Sequence, residues 1–162
     1  MDANALARTC AETLWADDLA SRSLGVELIS VELGSAVLAM AVTDRMVNAR
    51  RVCHEGYVFT LADAAFAYAS NTHNQRAFAQ HCAITFLNAA TLGDRLVARA
   101  AERQRAGPTG IYDVLVTREE GFVIAEFRGM SRMAEGELVP RGKARGVPGT
   151  TAEKQATRRR RP

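Results

Sequence analysis

Apolar positions along the chain follow two different rhythms. In residues 4–15, Ala5, Leu6, Cys10, Ala11, Leu14 and Trp15 recur at helical spacing, which predicts a short helix. In residues 25–43, Val26, Leu28 and Val31 stand among polar neighbours. Gly34 supplies a turn, and Ala36, Leu38, Met40 and Val42 then alternate strictly, which predicts a hairpin. From Glu55 to about Asn71 the period changes. Val58, Leu61, Ala62, Ala65, Phe66 and Ala69 fall at i, i+3, i+4, i+7, i+8 and i+11, the apolar stripe of a long helix. Its many alanines let a sheet approach the helix backbone closely. Strand-like segments follow at roughly 77–87, 94–105, 110–118 and 122–133, separated by turn signals at Gly93-Asp94, Gly107-Pro108 and Glu120-Gly121. The simplest layered solution is an α+β domain with one antiparallel sheet wrapped around one central helix.

Charge divides the 162 residues into two parts. Residues 138–162 carry eight Lys/Arg against one Glu, a net +7, with three of the four prolines and almost no large apolar side chains. This segment reads as a basic, disordered tail on a body spanning 1–137. The body holds 13 Lys/Arg against 17 Asp/Glu, a net −4, so the basic pI belongs to the tail. That balance gives no support for a nucleic-acid partner. No apolar run approaches the ~20 residues of a membrane span, and the N-terminus lacks the apolar core of a secretory signal. Three cysteines (Cys10, Cys53, Cys82) form an odd set without a CxxC pair. Reduced thiols and a cytoplasmic location are expected.

One residue stands out inside the long helix. Between Glu55 and Arg76 the only charge is Asp63, mid-helix in the least polar segment of the chain. A solvated helical face ordinarily carries several charges, and a partly buried carboxylate must find partners or shift its pKa upward. The start of the same helix offers free backbone N–H groups near Glu55 to Tyr57, suited to a developing oxyanion. Glu55 and Asp63 are eight residues apart, ~12 Å along a helix at ~1.5 Å per residue. Two groups so placed cannot touch one carbonyl from a single helix. Antiparallel helices across a two-fold would bring Glu55 N–H of one copy to Asp63 of another.

The stretch from Asn48 to Asn71, within MVNARRVCHEGYVFTLADAAFAYASNTHN, resembles the PaaI-type phenylacetate-degradation thioesterases of the hotdog-fold acyl-CoA thioesterase superfamily. ITFLNAATLGDRLVARA, GIYDVLV and IAEFRGMSRM resemble the family's later strands, so the likeness covers about residues 6 to 135. The resemblance implies a hotdog fold, homodimers with a composite active site, homotetramers built from them, and hydrolysis of acyl-CoA thioesters. Aryl-acetyl groups such as phenylacetyl and hydroxyphenylacetyl lead the candidates. It implies that Asp63 is the catalytic carboxylate, that the Glu55 amide polarises the thioester carbonyl, and that Asn48 and His54 shape and orient the site. Coenzyme A enters as part of the substrate, and no cofactor or metal is implied. The family's His-Gly-Gly is His54-Glu55-Gly56 here, which places a side chain where the family has none. Gly56, Tyr57, Phe59 and Phe66 are candidates for the aryl pocket. Arg132, with Arg50, Arg51 and Arg128 as further choices, is a candidate for the CoA phosphates.

Rival chemistries are weaker. Cys53 and His54 are sequence neighbours whose side chains point apart, a poor nucleophile–base pair. Cys53, His54, His73, His81 and Cys82 match no zinc spacing. Cys10 and Cys82 read as small hydrophobes in a helix and a strand, and His73 and His81 as surface residues. The alternative to an enzyme is an acyl-CoA-binding hotdog protein with weak or lost hydrolysis, favoured only by the Glu55 substitution.

Overall fold

The computed structural model describes residues 2–140. Two helices open the chain, α1 (Ala3–Asp17) and α2 (Leu19–Ser23), followed by β1 (Glu27–Glu32) and β2 (Ser35–Ala41). One 3₁₀ turn at Asp44–Met46 leads to the long helix α3 (Glu55–Ser70). Four strands complete it: β3 (Ala77–Phe86), β4 (Arg95–Ala106), β5 (Thr109–Arg118) and β6 (Val123–Met133). All pairings are antiparallel, in the order β1-β2-β4-β5-β6-β3. The expected sheet around one helix is what the chain forms. The chain leaves the sheet after β2, runs through α3 and re-enters it at the far edge as β3.

Two local features depart from the predicted pattern. The short helix α2 has too few apolar positions to betray itself. It forms because the Asp18 carboxylate caps the Ser21 N–H at 3.0 Å. In β1, Leu28 and Val31 have the wrong parity for one strand face. A bulge between Leu28 and Ser30 corrects it and turns Ile29 out to solvent.

The core is the meeting of α3 with the concave face of the sheet. Val58, Leu61, Ala62, Ala65, Phe66 and Ala69 are buried on the helix. Leu38, Met40, Leu96, Ala98, Val114, Val116 and Phe127 face them from the strands. Alanine on both sides lets the layers approach closely. The tightest point is Gly129 on β6. An added Cβ there would lie 2.8–2.9 Å from three atoms of the Phe66 ring. Phe66 cannot retreat, since its ring packs on Tyr112 and Phe127 with centroids 5.6 and 5.7 Å away.

Contacts with the body continue slightly past the expected boundary at residue 137. The buried Asn74 side chain donates to Val139 O at 2.9 Å and accepts from Val139 N–H at 2.7 Å. Asn74 has φ 57°, a left-handed conformation that asparagine tolerates better than most residues. The rest of the basic tail, residues 141–162, lies outside the described residues.

Gly129→Ala should destabilise the fold by about 1–3 kcal/mol through overpacking against Phe66. Urea unfolding is the measurement, and a change below about 0.5 kcal/mol would show that the ring has room to move.

Candidate active site

Asp63 lies half-buried in the middle of α3. Among the described residues it makes no hydrogen bond and no ion pair. Burial alone pushes its carboxyl above the ordinary aspartate range. A carboxylate held in that state, with no cation to neutralise it, is suited to proton transfer or attack rather than to stabilising the helix.

The start of α3 is built by the loop before it. Asn48 Oδ1 accepts from the N–H groups of Arg50 (2.9 Å) and Val52 (3.2 Å), and Arg51 N–H closes a turn onto Asn48 O at 2.9 Å. Arg51 takes a left-handed φ of 62° within that turn. The Asn48 oxygen is thus committed to shaping the loop. Bridges from Val47 to Cys53 and from Val52 to Thr91 tie the loop to the body. Cys53 N–H donates to Ala90 O, and His54 N–H to Met46 O. These bonds deliver His54 as the N-cap, and its side chain makes no capping bond. The N–H groups of Glu55 and Gly56 then have no acceptor among the described residues. They open beside a groove of about 180 Å³ lined by Cys53, Glu55, Val58, Leu87, Asn88 and Ile124.

Glu55 itself sits in ordinary helical backbone, with no positive φ that would demand glycine. Its side chain is exposed, and the acid at a helix start suits the dipole. Open space lies in front of Gly56, where an added Cβ would meet nothing within 4 Å. His54 is likewise exposed.

The remaining candidates separate. Tyr57 is half-buried, its hydroxyl 3.4 Å from Arg45 O. Phe59 is half-buried and stands edge-on to Phe127 at 5.7 Å. Phe66 is a correction to the pocket expectation: at 1% exposure it belongs to the core, because the sheet closes over it at Gly129. Arg132 is exposed on the outer face of β6, opposite Phe78 and away from α3, so the fold does not bring it to Asp63. Arg128 is held by Asp113, with contacts of 2.6 and 2.8 Å.

The cysteine alternative loses its chemistry here. Burial, with the negative charges of Glu55 and Asp94, pushes the Cys53 thiol up to about 11. Among the described residues no cluster of three His, Cys, Asp or Glu could hold a metal ion. His73, expected at the surface, is instead half-buried and meets Glu102 Oε2 at 2.7 Å, where the buried Tyr112 hydroxyl also donates at 2.9 Å. Sequence reading missed this cluster because its three members come from three separate segments.

Residues 51–125 match the family model described as the thioesterase superfamily. The chain is 38% identical over 128 residues to the acyl-coenzyme A thioesterase PaaI of Escherichia coli, covering 79% of this chain and 91% of that protein. The chain belongs to the thioesterase superfamily. Among solved structures it resembles the E. coli PaaI protein from the phenylacetic acid degradation operon, with a TM-score of 0.82 at 37% identity over 84% of this chain and 99% of that one. A variant of the phenylacetic acid degradation protein PaaI from Thermus thermophilus superposes with a TM-score of 0.67 at 32% identity, covering 70% and 97% of the two chains. The thioesterase fold is therefore shared across nearly the whole described body.

A carboxyl raised by burial binds its proton more tightly in the folded state than in the unfolded one. Its stabilising contribution is full below the unfolded pKa and is lost as pH rises through the folded one. Asp63→Asn should therefore melt above the wild type at pH 7. The gap should close as pH falls below the ordinary aspartate value near 3.8. A less stable Asn variant at pH 7 would mean that Asp63 is a structural anchor. Cys53→Ala should keep acyl-CoA thiol release within about three-fold of wild type, and a loss of about 10²-fold would restore the thiol as nucleophile.

Proposed function

We propose that this protein is an acyl-CoA thioesterase hydrolysing aryl-acetyl thioesters, such as phenylacetyl-CoA and hydroxyphenylacetyl-CoA, to the free acid and coenzyme A. The carrying observation is the unpaired, half-buried Asp63 on a helix whose first N–H groups are also unpaired, in a thioesterase-superfamily chain. The PaaI relatives named above support the choice of acyl group.

One chain holds both halves of this chemistry but keeps them apart, since Glu55 and Asp63 lie ~12 Å from each other along the helix. A second copy resolves the separation. Strand β3 is the sheet edge, and Phe78 (54%), Phe86 (40%) and Leu87 (52%) are exposed along or just beyond it. A long apolar edge is a ready template for pairing. Antiparallel pairing of β3 with its symmetry copy lays the two α3 helices side by side in opposite directions. The start of one then faces the middle of the other, and the homodimer carries two composite sites. Pairs of such dimers give the homotetramer.

In the composite site the thioester oxygen accepts from the Glu55 N–H, with Gly56 beside it. The Asp63 carboxylate of the other copy either takes a proton from an attacking water or attacks the carbonyl itself, giving a mixed anhydride that water opens. The carbon–sulfur bond breaks, the acid leaves as a carboxylate, and the sulfur departs as the free thiol of CoA. Both routes need Asp63 ionised. Asn48 sets the loop that aims the helix start, and His54 flanks the entrance. Phe59 and Tyr57 supply aromatic surface for the acyl group. We place the protein in the cytoplasm, where acyl-CoA is made and used. Among the described residues no helix is long and apolar enough to cross a membrane.

The test is free-thiol release from phenylacetyl-CoA, hydroxyphenylacetyl-CoA, benzoyl-CoA, acetyl-CoA and a long fatty acyl-CoA. The aryl-acetyl thioesters should turn over fastest, and Asp63→Asn should lower kcat by about 10²-fold or more. An Asn variant with near wild-type turnover would remove Asp63 from the mechanism. Tight binding of the panel without any thiol release would make the protein an acyl-CoA binder.

A further inference from the structure

Asp63 sits between two aromatic anchors on one stripe of α3. Phe59 lies four residues before it and Phe66 three after, and both rings pack on Phe127 with centroids 5.7 Å away. That packing turns the stripe carrying Asp63 toward β6 and β3. The strand register shows what meets it there. One row across the sheet is Tyr112, Gly129 and Cys82, and the next is Val114, Phe127 and Ile84. Tyr112, Val114 and Phe127 are sealed in the core, and Gly129 is covered by the Phe66 ring. Along both rows the first inward side chains left half-open are therefore Cys82 and Ile84, with Ala83 and Thr85 between and beyond them facing the other way. Burial and the charge of Asp63 both push the Cys82 thiol upward.

We propose that Cys82 is a specificity-determining residue, its small thiol forming the floor beside Asp63 on which the acyl group of the substrate comes to rest. The assignment rests on the thioesterase reading for its ligand class and adds the position that sets acyl size. A neutral, polarisable sulfur accepts the edge of an aryl ring without asking for a hydrogen bond. It sits at the β3 edge, where the dimer would close the pocket from the other side. A branched side chain at this position would fill the space next to the carboxylate. A methyl group would deepen it.

The experiment measures binding of non-hydrolysable CoA thioethers by calorimetry, so that it does not depend on turnover. S-methyl-CoA, S-(2-phenylethyl)-CoA and S-(4-phenylbutyl)-CoA are the probes. Cys82→Leu should weaken the phenylethyl probe by about 10-fold or more while leaving S-methyl-CoA within about two-fold. Cys82→Ala should shift the ratio toward the phenylbutyl probe, and Cys82→Ser, which keeps a smaller γ-atom, should shift it no further than Ala does. Equal weakening of all three probes by the Leu variant would reduce Cys82 to a structural residue and overturn the proposal. If the Leu variant does not fold, an unchanged ratio in the Ala variant overturns it instead. Thiol release by the wild type is scored separately. Turnover with an unmoved ratio sinks only the role of Cys82, whereas a moved ratio without turnover sinks only the hydrolase reading. Failure of the wild type to bind any probe overturns the Cys82 assignment outright.

Discussion

The close approach of α3 to the sheet is the contact on which the rest of the molecule depends. Ala62, Ala65 and Ala69 leave the helix backbone within reach of the strands, and Gly129 leaves a hollow that the Phe66 ring fills. That ring, wedged between Tyr112 and Phe127, sets the rotation of the helix about its own axis. Asp63, three residues before Phe66, stands half-buried beside that anchored ring. Close packing of this kind converts volume changes into strain rather than into sliding, so the carboxylate inherits the precision of the core without being part of it.

The two ends of α3 are treated in opposite ways. At its C-terminal end the side chains of Ser70, Asn71 and Thr72 all make hydrogen bonds. Thr72 Oγ1 donates to Ala69 O and accepts from Gly34 N–H, and Asn71 bridges Ala67 O and both backbone groups of Ala77. His73, Glu102 and Tyr112 close a further cluster on the neighbouring strand. At the N-terminal end the cap makes no side-chain bond, and the first amides face a groove. Satisfied groups stabilise and unsatisfied ones cost. A helix that is closed at one end and left open at the other and in the middle concentrates its unmet hydrogen-bonding capacity where a ligand would supply it. Stability is commonly traded for function at such places.

Sheet topology carries the same logic to a larger scale. Helix α1 packs against β1 at one edge, whereas β3 at the other edge keeps an open backbone and exposed aromatic side chains. The site and the edge are adjacent because the crossover through α3 ends at β3. In the proposed dimer, completing the sheet and completing the site are one event, which accounts for an Asp63 carboxylate and a Glu55 amide without partners among the described residues. The Glu55 substitution fits this frame at little cost. Its backbone is helical, its side chain is exposed, and its charge sits at the favourable end of the dipole.

How much of this was legible in the sequence follows from how local each feature is. The 3.6-residue stripe of α3 and the alternation in β2 and β4 are set by side-chain direction along a single segment, so they could be read directly. The isolation of Asp63 among alanines was equally visible, because charge placement within one helix is a local fact. The short α2 helix, the β1 bulge and the turn held by Asn48 depend on single hydrogen bonds that leave little trace in hydrophobic pattern. The removal of Phe66 to the core, the placing of Arg132 on the outer face and the His73–Glu102–Tyr112 cluster were decided only by tertiary structure. Each depends on which strands become neighbours, and strand order links residues far apart in the chain. Sequence alone thus determined the long helix, the main strands and the isolation of the Asp63 carboxylate. The fold decided what faces that carboxylate, because rotation of α3 is set by one ring over one glycine on a strand more than sixty residues away.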